Sequence, residues 1–224
     1  MADLRALRLH EVNLSEADLF GVCLSEADLA GSDLRASDLY GADLFGANLE
    51  GVLLSEADLS GAKLGGANLS EANLVKVDFY GAILGGSNLS WSNLSQTNFY
   101  RASLVEAYLI GAVLIGANLE WSDFSLSDLR RVNLRDAELY EANLSGANLS
   151  QARLHRADLY QADLSGCNLS GAELIDTNLY QVNLEGANLS GAIVQRANFK
   201  EIQFNRETIW PEGFDLAQVR GTRG

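Results

Sequence analysis

The 224-residue chain is 47% hydrophobic with a single proline and a net charge of −14, so it can bury a core and is not a disordered tail. That acidity disfavours direct binding to nucleic acid or an anionic membrane, both of which want lysine and arginine, and permits a basic protein partner. No run approaches the roughly 18 apolar residues of a membrane span, and two cysteines are too few for a disulfide framework.

The N-terminal residues MADLRALRLH lack the apolar centre of a signal peptide, and a cytoplasmic protein is expected. Leu4 already stands in register with a repeat that runs to Phe204. Every fifth residue over that span is apolar, 41 in succession: thirty-five leucines, Val194, and the five phenylalanines Phe79, Phe99, Phe124, Phe199 and Phe204. Two residues before each lies a small side chain, as at Ala17, Ser32, Val52, Thr97 and Cys167. Leu7 and Ile202, near the two ends, are the bulky exceptions.

A helix cannot use this pattern, because five residues turn about 140° past a full revolution and smear the leucines around the cylinder. A long strand fails too, since an odd step alternates faces. What fits is a short extended piece with two inward residues, a two-residue corner, and indefinite repetition. The tyrosines count the repeats per turn. Tyr40, Tyr80, Tyr100, Tyr140, Tyr160 and Tyr180 fall at multiples of twenty, with Phe20 in the same series. Twenty residues are four repeats, so a square coil stacks these rings in one column at a strand spacing of about 4.8 Å. Asp136, Arg156, Asp176 and Arg196 alternate in sign at the same step, as do Glu56 and Lys76.

The motif Ala-(Asp/Asn)-Leu-x-x, seen at Ala17-Asp18-Leu19 and Ala147-Asn148-Leu149, resembles that of the pentapeptide repeat proteins. The resemblance implies an all-β fold, a right-handed four-sided β-helix over residues 1–204 with about ten coils. Residues 205–224 leave the repeat and carry Ile209, Trp210, Pro211 and Phe214, a cluster suited to a C-terminal cap; Trp-Pro tails of this kind are similar to those of cyanobacterial members. The N-terminal end has no comparable cap. Either Arg5, Arg8 and His10 protect that open edge, or a homodimer forms through it.

Catalysis has little to stand on. His10 and His155 lie seven coils apart, roughly 35 Å at the strand spacing, which excludes a histidine triad or metal cluster. His155 is expected to be a solvated histidine without a partner. Cys23 should point outward and Cys167 inward, too far apart for a disulfide. Asp and Asn interchange before the leucine as a corner-bonding residue would, which argues against calcium or a glycosidase pair. Gly65-Gly66 and Gly85-Gly86 occupy ordinary corners and lack the lysine of a phosphate loop. The chain is therefore expected to be no enzyme, with no metal and no cofactor.

One column differs from indifferent repeat chemistry. Asp18, Asp38, Asp58 and Asp78 stack at the twenty-residue step, beside Phe20, Tyr40, Tyr80 and Tyr100. Stacked like charges repel by up to about 1 kcal/mol per pair in water, a cost asparagine avoids, as in Asn48, Asn68 and Asn88 or Asn148, Asn168 and Asn188. These eight aspartate and aromatic residues form the candidate partner-binding face. Trp91 and Trp121 fall on different sides, and Arg130, Arg131, Arg135, Arg153 and Arg156 make a smaller basic region. Residues 1–100 carry a net −9 against −4 for residues 101–200.

Two functions follow. The favoured one is a rigid scaffold for protein–protein interaction, regulatory in character. The alternative is a DNA mimic: family members conferring fluoroquinolone resistance are similar in fold and acidity, and the resemblance implies occupation of the DNA groove of gyrase, a type II topoisomerase. The N-terminal half spaces its net charges by about 2.7 Å, against 1.7 Å for the duplex. The absence of projecting loops, and a tail unlike that group's dimerising C-terminus, count against the mimic.

Overall fold

A computed structural model describes residues 4–223; Met1, Ala2 and Asp3, which the predicted β-helix span includes, and Gly224 lie outside the described residues. Parallel bridges join each outward residue to the one twenty positions on, in four ladders that begin with Arg8↔Asp28, Asn13↔Asp33, Asp18↔Asp38 and Cys23↔Asp43. Four repeats therefore make one coil, as the tyrosine spacing predicts. Each extended piece bonds both neighbours: the Asp28 amide donates to Leu7 O of the coil before at 2.8 Å, and the Leu29 amide donates to Asn48 O of the coil after at 2.8 Å.

The corners are tight turns closed by bonds such as Ala17 N to Leu14 O at 3.2 Å. At the second corner position of every repeat from Ala6 to Glu201 the backbone takes a positive φ, between 51° at Glu141 and 69° at Gly186, the signature of a type II turn. Twenty-four of these residues are not glycine, and left-handed backbone costs each of them roughly 1–2 kcal/mol. Two contacts offset that cost. The same residue donates its amide to the next coil, as Glu16 does to Arg35 O at 2.8 Å, and the Asp or Asn before the leucine accepts the amide of the first corner residue, as Asn13 Oδ1 does from Ser15 at 3.0 Å. The Asp/Asn preference of the motif thus stems from an Asx turn.

Inside, the central leucines of the repeats from Leu24 to Leu189 are fully buried and Phe79 stacks on Phe99 at 4.8 Å. Inward hydroxyls are tied to carbonyls, Ser92 to Leu89 O at 2.6 Å and Thr97 to Leu94 O at 2.7 Å. Ser87 Oγ is the exception, buried without a partner among the described residues. Its desolvation is uncompensated, so Ser87→Ala is expected to raise stability by about 1 kcal/mol, while Ser92→Ala, which discards a made bond, lowers it by a similar amount. Calorimetric midpoints moving in opposite directions for the two variants check this.

The two ends differ. At the first coil Leu4, Leu9, Val12, Leu14 and Leu19 are only partly buried and Leu7 is 42% exposed, so the core opens there. At the other end the coil runs past Phe204 by one further corner with one extra residue. Thr208 is buried and gives its hydroxyl to Leu184 O at 2.9 Å, and Ile209 bridges Asn188, a step of twenty-one. Trp210 then takes the place of a central residue, stacked on Phe214 at 4.8 Å and edge-on to Phe199 and Phe204. Strand β1 (Lys200–Phe204) pairs in parallel with β2 (Arg220–Arg223), reached through a 3-10 turn at Leu216–Gln218.

Candidate functional site

Because the outward residue of each repeat is fixed by the bridge register, Asp18, Asp38, Asp58 and Asp78 lie in direct succession on one face. Each Oδ1 accepts the corner amide two residues on, from Phe20 at 3.2 Å, Tyr40 at 3.0 Å, Ser60 at 2.8 Å and Tyr80 at 2.9 Å. That bond fixes the carboxylates in one orientation along the column. No lysine, arginine or histidine among the described residues pairs with any of the four. The column ends where Asn98 donates its amide to Asp78 Oδ1 at 2.9 Å.

The aromatic residues beside it do not form one continuous stack. Phe20 lies on Tyr40 at 5.4 Å and Tyr80 on Tyr100 at 5.8 Å, but buried Ser60 separates the two pairs. Phe20, at 61% exposed, is an open apolar surface beside the acids. Arg101 covers the far end, its Cζ 5.3 Å from the Tyr100 ring centre. Further down the same column Tyr140, Tyr160 and Tyr180 stack at 5.4 and 5.5 Å with Trp121 edge-on to Tyr140; a hydrogen bond to Glu141 pushes the Tyr140 phenol up to about 12.

The lower half handles charge differently. Arg156 binds Asp136 at 2.6 Å, Arg196 binds Asp176 at 2.5 Å, Arg135 lies 3.3 Å from Asp136 and Arg130 grips Asp128 at 2.7 Å. Arg131 donates to Gln151 Oε1 at 2.9 Å. The basic region read from sequence is thus mostly an ion-pair zipper. Hydrogen bonds from these arginines hold the carboxyls of Asp128, Asp136 and Asp176 below the ordinary 3.8. A depressed folded pKa means the stabilisation is present above 3.8 and is lost as pH falls towards the lowered value. In a double variant Arg156→Gln/Arg196→Gln, the deficit in thermal midpoint against wild type at pH 6 is therefore expected to shrink below pH 3.8 and close further down.

His155 departs from expectation: its Nε2 lies 2.6 Å from Glu173 Oε2. The two residues are eighteen apart, a diagonal between a corner of one coil and a face of the next, so a search at multiples of twenty misses the pair. Cys23 is half-buried and Cys167 buried. The Cys167 thiol donates to Leu144 O at 2.8 Å, and burial pushes its pKa up to about 12, which leaves it inert at neutral pH. No group of three or more His, Cys, Asp or Glu among the described residues is placed to hold a metal.

On the opposite face, a feature passed over in the sequence reading comes together. Trp91 lies across the next coil so closely that a Cβ on Gly111 would sit 2.3 Å from its ring, beside exposed Tyr108 and half-buried Ile110. The signal was present: residues 79–119 carry two charges, Arg101 and Glu106.

A family model described as pentapeptide repeats matches residues 13–51, 53–90, 92–131, 127–171 and 167–206. No curated protein gives a match. Among solved structures, HetL, a pentapeptide repeat protein involved in heterocyst differentiation regulation from the cyanobacterium Nostoc, is 34% identical over 89% of this chain and 88% of its own, with a TM-score of 0.43. A second Nostoc pentapeptide repeat protein is 36% identical over 46% of this chain and 84% of its own, with a TM-score of 0.45. A trypsin-treated form of QnrB1, a plasmid-mediated fluoroquinolone resistance protein, covers 98% of this chain and 90% of its own at 19% identity and a TM-score of 0.52, a likeness of fold alone.

Proposed function

The chain belongs to the pentapeptide repeat family, and we propose that it serves as a rigid, non-enzymatic scaffold, a right-handed β-helix of about ten coils closed by residues 205–224, whose acidic N-terminal face docks a basic surface of a protein partner. The observation that carries this reading is the contrast between the two halves. After residue 120 most arginines are spent on neighbouring carboxylates, whereas the four stacked aspartates before residue 80 have no counter-ion among the described residues. Asparagine makes the same Asx turn without repulsion, so unpaired aspartate at four successive coils is a charge held for a cation from outside. Phe20 and Tyr40 add apolar area beside it, the composition of a recognition surface with an aromatic anchor.

A second reading is supported by the same column. Four carboxylates in a straight line, at a strand spacing of about 4.8 Å, imitate one edge of a charged duplex, and gyrase would be the basic partner. The test is a gyrase supercoiling assay with the protein titrated in, with and without a fluoroquinolone, beside the variant Asp18→Asn/Asp38→Asn/Asp58→Asn/Asp78→Asn. The variant keeps every Asx bond, so loss of binding reads charge and not unfolding. Scaffold function predicts unaltered supercoiling at micromolar protein, and a salt-sensitive partner from the source cell whose affinity drops about tenfold or more in the variant. Inhibition or drug protection that the variant loses assigns the DNA mimic instead. A partner bound equally by both proteins sinks the acidic face altogether.

A further inference from the structure

The face half a coil away from the aspartates carries a second surface of different chemistry. Its corners at Gly66 and Gly86 have no side chains, and a Cβ at either would meet nothing within 4 Å. With Asn68 and Asn88 as its floor and Tyr108 and Ile110 as its lower wall, this corner forms a concavity of about 440 Å³. The floor is held in place by its own ladder, Asn88 Nδ2 to Asn68 Oδ1 at 3.3 Å and Asn68 Nδ2 to Asn48 Oδ1 at 3.4 Å. Trp91 and Tyr108, 59% and 52% exposed, extend the apolar rim.

Charge decides what fits there. Exposed Glu50, Glu71 and Glu106 bracket the concavity by register, from above, from the Trp91 corner and from the glycine corner. None has a cationic partner among the described residues. Among the described residues Glu50 accepts only the Asn68 amide, at 3.4 Å. The arginines one coil below are held by Asp128 and Gln151, and Lys63 stands on the adjoining face. A hollow with an apolar wall at Tyr108 and Ile110, ringed by unneutralised carboxylates, complements a side chain that is apolar and neighbours that are basic.

We infer that this face is a second docking site, taking a protein segment that inserts one aromatic or branched aliphatic side chain flanked by lysine or arginine. Two opposed faces then let the rod bridge two partners at a fixed separation. The insertion gains by burying apolar area against Tyr108 and Ile110, while the asparagine ladder offers amides to the segment's backbone.

The probe is a phage-displayed library of random peptides of about twelve residues, panned on the intact protein after depletion on Tyr108→Ser/Ile110→Ser. Recovered peptides are expected to share an apolar residue beside Lys or Arg and to bind wild type about tenfold or more above the depleting variant. They should weaken on Glu50→Gln/Glu71→Gln/Glu106→Gln, whose exposed substitutions leave the fold alone, and be indifferent to the four Asp→Asn changes, which separates this site from the acidic column. Failure to recover any peptide, recovery of acidic ones, or loss of binding only in the Asp→Asn variant overturns the inference. So does a dimer in sedimentation equilibrium that Tyr108→Ser/Ile110→Ser abolishes, since the occupant is then a second copy.

Discussion

Leu104→Lys is expected to replace one unfolding transition by two. Leu104 is fully buried at the centre of the rod, its amide bound to Asp123 O at 2.6 Å. Its side chain points into a lumen walled on four sides by bonded backbone, so a lysine there has no route by which its ammonium group can reach water. An unpaired buried charge costs several kcal/mol, far more than the roughly 2–5 kcal/mol of a Leu→Ala cavity. In a globular core that cost would fall on the whole molecule. Here each coil bonds only the coils twenty residues before and after it, and stability is a sum over neighbouring interfaces. The damage is therefore confined to the coil that holds residue 104. The N-terminal stack, with its open first coil and its unpaired aspartates, should melt first; the C-terminal stack, with its zipper and its aromatic end, should melt near the wild-type temperature. Calorimetry, with limited proteolysis mapping cleavage to the coil around residue 104, reads both events. Leu104→Ala should lower a single transition without splitting it, and one sharp, strongly depressed transition for the lysine variant would show that cooperativity spans the rod.

The fold was legible because one number, five, is imposed by geometry on every residue. Two inward side chains and a two-residue corner leave no freedom of register, and the multiples of twenty at Tyr40, Tyr80, Tyr100 and Tyr140 reported the coil that the bridges show. Single-column pairs were legible for the same reason: Asp136 with Arg156 and Glu56 with Lys76 sit one coil apart and meet. What escaped is whatever crosses columns. His155 reaches Glu173 diagonally, Arg130 turns back to Asp128 within its own repeat, and the hollow above Tyr108 is assembled from a corner, a face and the next coil. The extra residue between Phe204 and Ile209 escaped because a pattern search stops at its first break, whereas hydrogen bonding carries on past it. The positive φ at two dozen non-glycine corners escaped too, since glutamate, arginine and tryptophan give no local sign of left-handed backbone.

Truncation after Phe204 should turn a discrete protein into one that associates. The last coil offers a row of bridging groups in β1 that β2 now occupies, Lys200↔Arg220 through Phe204↔Arg223. Below them Phe199 and Phe204 are covered by the stacked rings of Trp210 and Phe214. Removing the tail exposes an unpaired strand edge and an aromatic core together, the combination that templates pairing with another chain. Trp210→Ala is the graded version. It keeps β2 but removes the ring that touches three others, at a cost of up to about 3–5 kcal/mol, and should lower the thermal midpoint without creating an edge. Sedimentation velocity separates the two effects: the truncated chain is expected to gain concentration-dependent species that Trp210→Ala lacks. Those species should survive Leu7→Glu, because they join C-terminal ends and not the open coil of Leu4, Leu9 and Leu14. A truncated chain that stays monomeric at high concentration would mean that neither the Trp210 stack nor the strand pairing of β2 is what keeps the C-terminal end from associating.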